Sequence, residues 1–311
     1  MKIDSCLILS AGLGTRMGPI GKILPKPLWP LFEKKIIELQ INFAESLGIE
    51  KIYINGHHCH AQLKEFIDLF NKDRSKKVIY LYEPTLLGSG GGVHNAANLE
   101  NYKGVLLYLA VDQFYFFDQF YLDLAKNLIS SHGAVLFGLD VDKADIYNRL
   151  IIENNLMKGI EGPKSSSLVT FSGMGLINLQ SLTPKKGVSS FFDTVANFNE
   201  RPVYIINPKN VDYWDFGTSQ NYFKSCFRLL GEKEGRFLEF CKEEAVFAPR
   251  QVHQSLNSYG ALGTKNLINL SKKRVENPTE KNAIILDFGK DLLEIKFSGL
   301  FFNEISEKVL C

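Results

Sequence analysis

Short apolar runs alternate with stretches of helical periodicity from the N-terminus to Asp112. Residues 5–10 (SCLILS) form the first run and stop at Ala11–Gly12. Residues 35–47 then set Ile36, Leu39, Phe43 and Leu47 at helical spacing, and Gly48 ends them. The pattern repeats. Residues 51–55 (KIYIN) read as a strand, and 61–70 as a helix with Leu63, Phe66, Ile67 and Phe70 on one face. A strand follows at 78–82, a helix at 92–99 after a glycine run, and a strand at 105–111. Strands separated by helices must be joined by crossovers, so the fold class is α/β, a mainly parallel sheet with helices on both faces. Ligands of such sheets sit beyond the carboxyl ends of the strands. The loop after Ser10 and the residue Asp112 are therefore expected to converge on one site.

The second half is less regular. Residues 134–139, 168–171 and 203–206 are strand candidates, and 222–230 has a helical pattern. Residues 231–311, with Gly260, Gly263 and the β-like runs AIILDF and LEIKF, read as a small α+β appendage. The expected partition is 1–230 for the main domain and 231–311 for the appendage. Net charge is +2, so there is no bulk field to draw nucleic acid or a membrane, and any cationic site must be local. No run approaches the roughly 18 apolar residues of a membrane span. The apolar run at the N-terminus is too short for a signal peptide and carries Asp4. Five scattered cysteines, an odd number, fit reduced thiols and a cytoplasmic location.

The chemistry concentrates in LILSAGLGTRMGPIGKILPKPLWPL, residues 7–31. Gly12 and Gly14 permit a tight turn that brings backbone N–H groups to an anion. Arg16 offers a planar fork for phosphate oxygens. Pro25 and Pro27 restrict the backbone around Lys26. GSGGG (88–92) is a second candidate loop for a phosphate or a base. His57, His58, Cys59 and His60 are consecutive and point in different directions, so they read as a structural loop rather than a zinc site. The aromatic run 114–121 (FYFFDQFY) reads as core packing.

AGLGTRM…LPKPLWPL resembles the signature of the sugar-1-phosphate nucleotidyltransferases, and the resemblance extends over about residues 3–222. It implies a Rossmann-like catalytic domain. It also implies a Mg²⁺-dependent reaction of a nucleoside triphosphate with a sugar 1-phosphate, giving an NDP-sugar and pyrophosphate. By this resemblance Ala11, Gly12, Gly14, Thr15 and Arg16 meet the triphosphate, and Lys26 lies near the reacting phosphates. Gly88 lies against the base and Glu83 reads it. Asp112, preceded by Val111 where relatives have glycine, and Asp215 in YWDFGTSQNY are the Mg²⁺ ligands. Asn148, Glu161 and Gly173 face the sugar, and Lys164 stands in for the family lysine replaced here by Gly162.

INGHH and LLGSGGG resemble the subgroup acting on muramic acid, mannose and heptose 1-phosphates. The base is GTP or UTP. An ionised Glu83 could accept the two adjacent donors of guanine, which uracil lacks, whereas the muramic acid resemblance points to UTP. Two other readings stay open: a cytidylyltransferase acting on a phospho-alcohol such as phosphocholine, and a non-catalytic nucleotide-sugar-binding protein. The expected partners are small molecules, without nucleic acid or membrane, and a homo-oligomer is left open.

Overall fold

The computed structural model describes residues 1–141, 147–163, 168–247, 267–270, 283–287, 299–302 and 305–309. Lys164, Gly260 and Gly263 lie outside the described residues. Contacts divide the chain into two compact units. One is Met1–Gly12 with Phe43–Val211; the other is Leu13–Asn42 with Asp212–Cys311. The division does not fall at residue 230. The segment that carries Arg16 and Lys26 groups with the C-terminal part of the chain.

The first unit is built on a nine-stranded sheet. Its strands are β1 (Ser5–Leu9), β2 (Ile52–Gly56), β3 (Ile79–Tyr82), β4 (Val105–Ala110), β5 (Ala134–Val141), β6 (Arg149–Glu153), β7 (Leu156–Glu161), β8 (Leu168–Asn178) and β9 (Val203–Ile206). They run in the order β3-β2-β1-β4-β8-β5-β9-β7-β6. The block β3-β2-β1-β4 is parallel throughout, with Leu7 opposite Tyr53 on one side and Tyr108 on the other. The remaining joints are antiparallel except β5–β9, so the sheet is mixed and its parallel part lies at one side.

Helices α1 (Ile36–Ser46), α2 (His60–Asn71) and α3 (Gly88–Leu99) make the crossovers between the parallel strands. β1 is buried on both faces, as an apolar run in a central parallel strand should be. Leu7, Tyr53, Leu106, Leu136 and Ile205 join Val93, Ala96 and Ala97 of α3 in one core. The order of strands reverses at β1: β2 and β3 lie to one side of it, β4 to the other. That reversal opens a crevice at the carboxyl ends of β1 and β4.

Several elements had no reading from the sequence, a helix and a hairpin among them. Helix α4 (Gln119–Leu128) covers the second part of the aromatic run. The β6–β7 hairpin turns at Asn154 and Asn155, both at positive φ.

In the second unit, helices α5 (Ser219–Gly231) and α6 (Arg236–Glu243) pack beside the short strand Asp212–Asp215. Trp29 meets Tyr222 edge-on at 4.9 Å between centroids, and the Tyr222 hydroxyl donates to the Pro30 carbonyl. Asn42 donates to Glu244, and the Glu33 N–H donates to the Val246 carbonyl. The tail thus closes on the proline-rich segment. Four short strands, β10 (Leu267–Asn269), β11 (Ala283–Asp287), β12 (Gly299–Phe302) and β13 (Ile305–Lys308), form a separate small sheet.

Candidate active site

The crevice residues come first. Ser10 follows β1 directly and Val111 follows β4, with the Val111 N–H on the Leu9 carbonyl at 3.3 Å. Ser10, Ala11 and Gly12 therefore run alongside Val111 and Asp112. A Cβ built on Gly12 meets no atom within 4 Å, so no protein neighbour demands glycine there. Asp112 is 8% exposed. Gly173 also comes here, at φ +81 in the bulge that interrupts β8 between Phe171 and Gly175. A Cβ at Gly173 would stand 1.9 Å from Gln113 Oε1 and 2.9 Å from Ala110. Its glycine is thus required by close packing at the end of β4.

Glu83 is placed differently from a base reader. It has no exposed surface. One carboxylate oxygen accepts from Asn55 Nδ2 at 2.7 Å and the other from the Leu87 N–H at 3.0 Å. Asn55 Oδ1 in turn accepts the Ser10 N–H at 2.7 Å, and the Ser10 hydroxyl donates to the Asn55 carbonyl. His57 Nδ1 lies 2.8 Å from the Glu83 carbonyl oxygen. A carboxylate enclosed in this way offers no edge to a base, so the case it made for guanine over uracil falls. Neither Ser10 nor Asn55 was singled out from the sequence, although Asn55 opens the NGHH that follows the second strand.

The glycine run also departs from expectation. Gly88 starts α3 at φ +72. The N–H groups of Gly90 and Gly91 both donate to the Ser189 carbonyl, at 3.0 and 3.3 Å, and the Ser189 N–H donates to Leu87. Cβ atoms at Gly88, Gly90 and Gly91 would stand 2.7, 2.3 and 2.6 Å from the carbonyl oxygens of Ser189, Ser190 and Gly187. These glycines admit the main chain of residues 187–190. The amides of Gly90 and Gly91 are engaged by it rather than turned toward an anion.

In the second unit Gly14 takes a left-handed turn at φ +66, and its carbonyl accepts the Met17 N–H at 2.8 Å. Thr15 and Arg16 are exposed on the short turn that follows. Lys26 is half-buried and donates to the Gly217 carbonyl at 3.2 Å. The Gly217 N–H donates to Asp215 Oδ1 at 2.6 Å, and Asn221 Nδ2 donates to Oδ2 at 2.7 Å. Thr218 caps α5 by accepting the Asn221 N–H at 3.0 Å. Lys26 and Asp215 are thus both held by the main chain of one residue, Gly217, the lysine at its carbonyl and the carboxylate at its N–H.

Asn148 and Glu161 sit together on the β6–β7 hairpin. Arg149 is the register partner of Glu161 and its guanidinium is 3.9 Å from the carboxylate. Among the described residues no group of three or more His, Cys, Asp or Glu side chains could hold a metal ion. The histidine run leads into α2: Cys59 Sγ contacts His58, and the His60 ring, at the first residue of the helix, lies 4.3 Å from that of Tyr82 at a tilt of 38°. Burial pushes the thiols of Cys6, Cys226 and Cys241 well above the usual range, so none is a ready nucleophile. Among the described residues no helix is long and apolar enough to cross a membrane.

An open α/β sheet with a glycine turn and a carboxylate at its reversal point defines a nucleotide-binding protein of Rossmann-like type. The model of the MobA-like NTP transferase domain matches residues 6–203, and the chain belongs to that family. Among curated relatives, the bifunctional protein GlmU of Methanococcus maripaludis is 31% identical over 177 residues, 56% of this chain and 39% of that protein. The D-glycero-alpha-D-manno-heptose 1-phosphate guanylyltransferase of Campylobacter jejuni is 30% identical over 175 residues, 55% of this chain and 72% of that protein. The UTP–glucose-1-phosphate uridylyltransferase of Synechocystis is 30% identical over 28% of this chain and 24% of its own length. The match thus spans well under two thirds of the GlmU and Synechocystis proteins.

Solved structures agree on the fold. HddC from Yersinia pseudotuberculosis, in complex with GMP-PN, superposes with a TM-score of 0.60 at 21% identity, over 73% of this chain and 99% of that one. UDP-glucose pyrophosphorylase from Acinetobacter baumanii gives 0.62 at 19% identity, over 78% and 99%.

Proposed function

We propose that the chain joins a nucleoside triphosphate to a sugar 1-phosphate, releasing pyrophosphate and an NDP-sugar. One observation carries the reading: Lys26 and Asp215 are both fixed by the main chain of Gly217, within the segments that resemble the family's signature. The substrates are two anions, and the reaction moves further negative charge onto pyrophosphate. Arg16 and the backbone amides around Gly12 bind the triphosphate, and Lys26 stabilises the charge that develops in the transition state. The open space at Gly12 suits close approach of a phosphate to the backbone. The sugar phosphate is already an anion near neutral pH and attacks the α-phosphorus itself, so no side-chain nucleophile is required. Asn148, Glu161 and Gly173 are the proposed sugar contacts.

The family generally uses a divalent metal. Asp112 and Asp215 are each hard oxygen donors of the kind that would hold Mg²⁺, with phosphate oxygens and water completing its shell. Bound there, the cation would neutralise phosphate charge and withdraw electrons from phosphorus. GTP and UTP are the proposed nucleotides, because the relatives include a guanylyltransferase and a uridylyltransferase. None of these comparisons favours a phosphocholine-type or a non-catalytic reading. The test is pyrophosphate release from four NTPs against a panel of hexose and heptose 1-phosphates, with and without Mg²⁺. Release above background for one pair supports the reading; none with any pair refutes it.

A further inference from the structure

The buried chain Ser10–Asn55–Glu83–Leu87 is the strongest feature that the proposed chemistry does not use. It starts at the residue before the first glycine turn and ends at the residue before the glycine run. Between them it crosses the carboxyl ends of three adjacent parallel strands, β1, β2 and β3. Both ends are main-chain N–H groups, which can only donate. That fixes every atom between them. The Ser10 N–H requires the amide oxygen of Asn55, so the Asn55 nitrogen must face Glu83. Glu83 must then accept at both oxygens, once from Asn55 and once from Leu87. One amide followed by one carboxylate satisfies the sequence; two amides leave a donor facing a donor wherever the second one turns. Gly92 belongs to the same construction: its Cβ would stand 2.8 Å from Asn55 Nδ2 and 3.4 Å from Glu83 Oε1.

We propose that Asn55 and Glu83 are positioning residues for the nucleotide, tying the start of the first glycine turn to the start of α3, itself packed against residues 187–190, so that the turn presents a fixed backbone to the phosphates. The claim rests on the transferase reading for the identity of the ligand. It assigns Glu83 to the loops that bind the nucleotide and not to a contact with the base.

The directional order gives a compensation test. Glu83→Gln places a donor against either Asn55 or Leu87. Asn55→Asp removes the amide donor and sets a second carboxylate against Glu83, so the pair repels unless it takes up a proton. The double variant Asn55→Asp/Glu83→Gln restores the chain with its middle bond reversed: the new carboxylate accepts from Ser10 and from the new amide, whose oxygen accepts from Leu87. Each single change should raise the KM for the nucleotide about tenfold, the effect of one buried donor left unmatched. The kcat and the KM for the sugar 1-phosphate should stay within about twofold, because binding and not transition-state charge is altered. The double variant should return to within about threefold of wild type.

Dissociation constants for GTP and UTP by calorimetry, measured on the same four proteins, separate this claim from the transferase reading. Nucleotide binding without turnover refutes transfer, and the claim is then judged on the dissociation constants alone. No nucleotide binding by wild type refutes both. Turnover with singles that bind as wild type does, or a double variant no better than the worse single, overturns the positioning role and leaves the transferase reading standing.

Discussion

Asp212→Ala should destabilise the second unit by about 2–4 kcal/mol, and the reasons are local. Asp212 Oδ1 accepts the indole N–H of Trp214 at 2.7 Å, and Oδ2 accepts the Phe237 N–H at 2.9 Å. The second bond does the work of an N-cap for α6 from a residue distant in sequence, because Gly235 has no side chain to cap with. Loss of a helix cap costs about 0.5–2 kcal/mol. Trp214 is 2% exposed, with the Arg228 guanidinium 3.9 Å from its ring centroid. An indole N–H stranded there costs a further 1–3 kcal/mol or about that. Both tryptophans of the chain, Trp29 and Trp214, lie in the second unit, so selectively excited tryptophan fluorescence reports on it. At a urea slope of about 3 kcal/mol/M the midpoint should fall by about 1 M. Asp212→Asn keeps one acceptor for the indole but turns its nitrogen toward the Phe237 N–H, and should lose about half as much. A midpoint for Asp212→Ala within about 0.3 M of wild type would refute the argument that this carboxylate anchors α6.

Three further outcomes are expected. Lys26→Ala should lower kcat by on the order of a hundredfold with a smaller change in nucleotide KM, since its charge acts chiefly in the transition state; a change confined to KM would reassign it. Asp112→Asn should cut Mg²⁺-supported turnover by a similar factor, and Asp215→Asn should lower turnover and the melting temperature together, because its two oxygens accept from Gly217 and Asn221. His94, buried on α3, has its pKa lowered by burial first, with Lys185 adding to the effect. The unfolded chain therefore takes up a proton that the folded one resists, so stability should fall as pH drops below about 6.5, and His94→Gln should flatten that slope in urea titrations at several pH values.

Most of the parallel half was legible because β1, β2 and β4 are buried along nearly their whole length and so read as short apolar runs. The expected strand at 203–206 and the helix at 61–70 agree with Val203–Ile206 and His60–Asn71 to within a residue. The hairpin at 149–161 was not, since its strands are half-exposed and lack clean alternation on either side of the Asn154–Asn155 turn. The tail misled for a different reason. No family motif falls beyond Tyr222, so the sequence marked 231–311 as separable. Yet Phe237 is fully buried, 4.9 Å from Trp214 and 6.1 Å from Phe216, the two residues flanking Asp215. Long-range packing of this kind leaves no periodic trace in either segment.

The glycine run shows why composition alone is a poor guide to a loop's ligand. Glycine lowers the steric barrier to anything that approaches the backbone, whether phosphate, base or another stretch of main chain. From the sequence, GSGGG and the glycines at 12 and 14 look equally fit for an anion. The structure separates them by what a Cβ would meet. At Gly12 it meets no protein atom within 4 Å; at Gly90 it meets the Ser190 carbonyl at 2.3 Å, and at Gly91 the Gly187 carbonyl at 2.6 Å. Gly90→Ala and Gly91→Ala should therefore displace residues 187–190 and destabilise the first unit by about 1–3 kcal/mol even without nucleotide. Gly12→Ala should leave the apoprotein's melting temperature unchanged and weaken nucleotide binding. Thermal melts with and without GTP or UTP make the comparison. If Gly12→Ala lowered apoprotein stability as much as Gly90→Ala, the first turn too would be a packing device, and the anion would have to be bound by side chains alone.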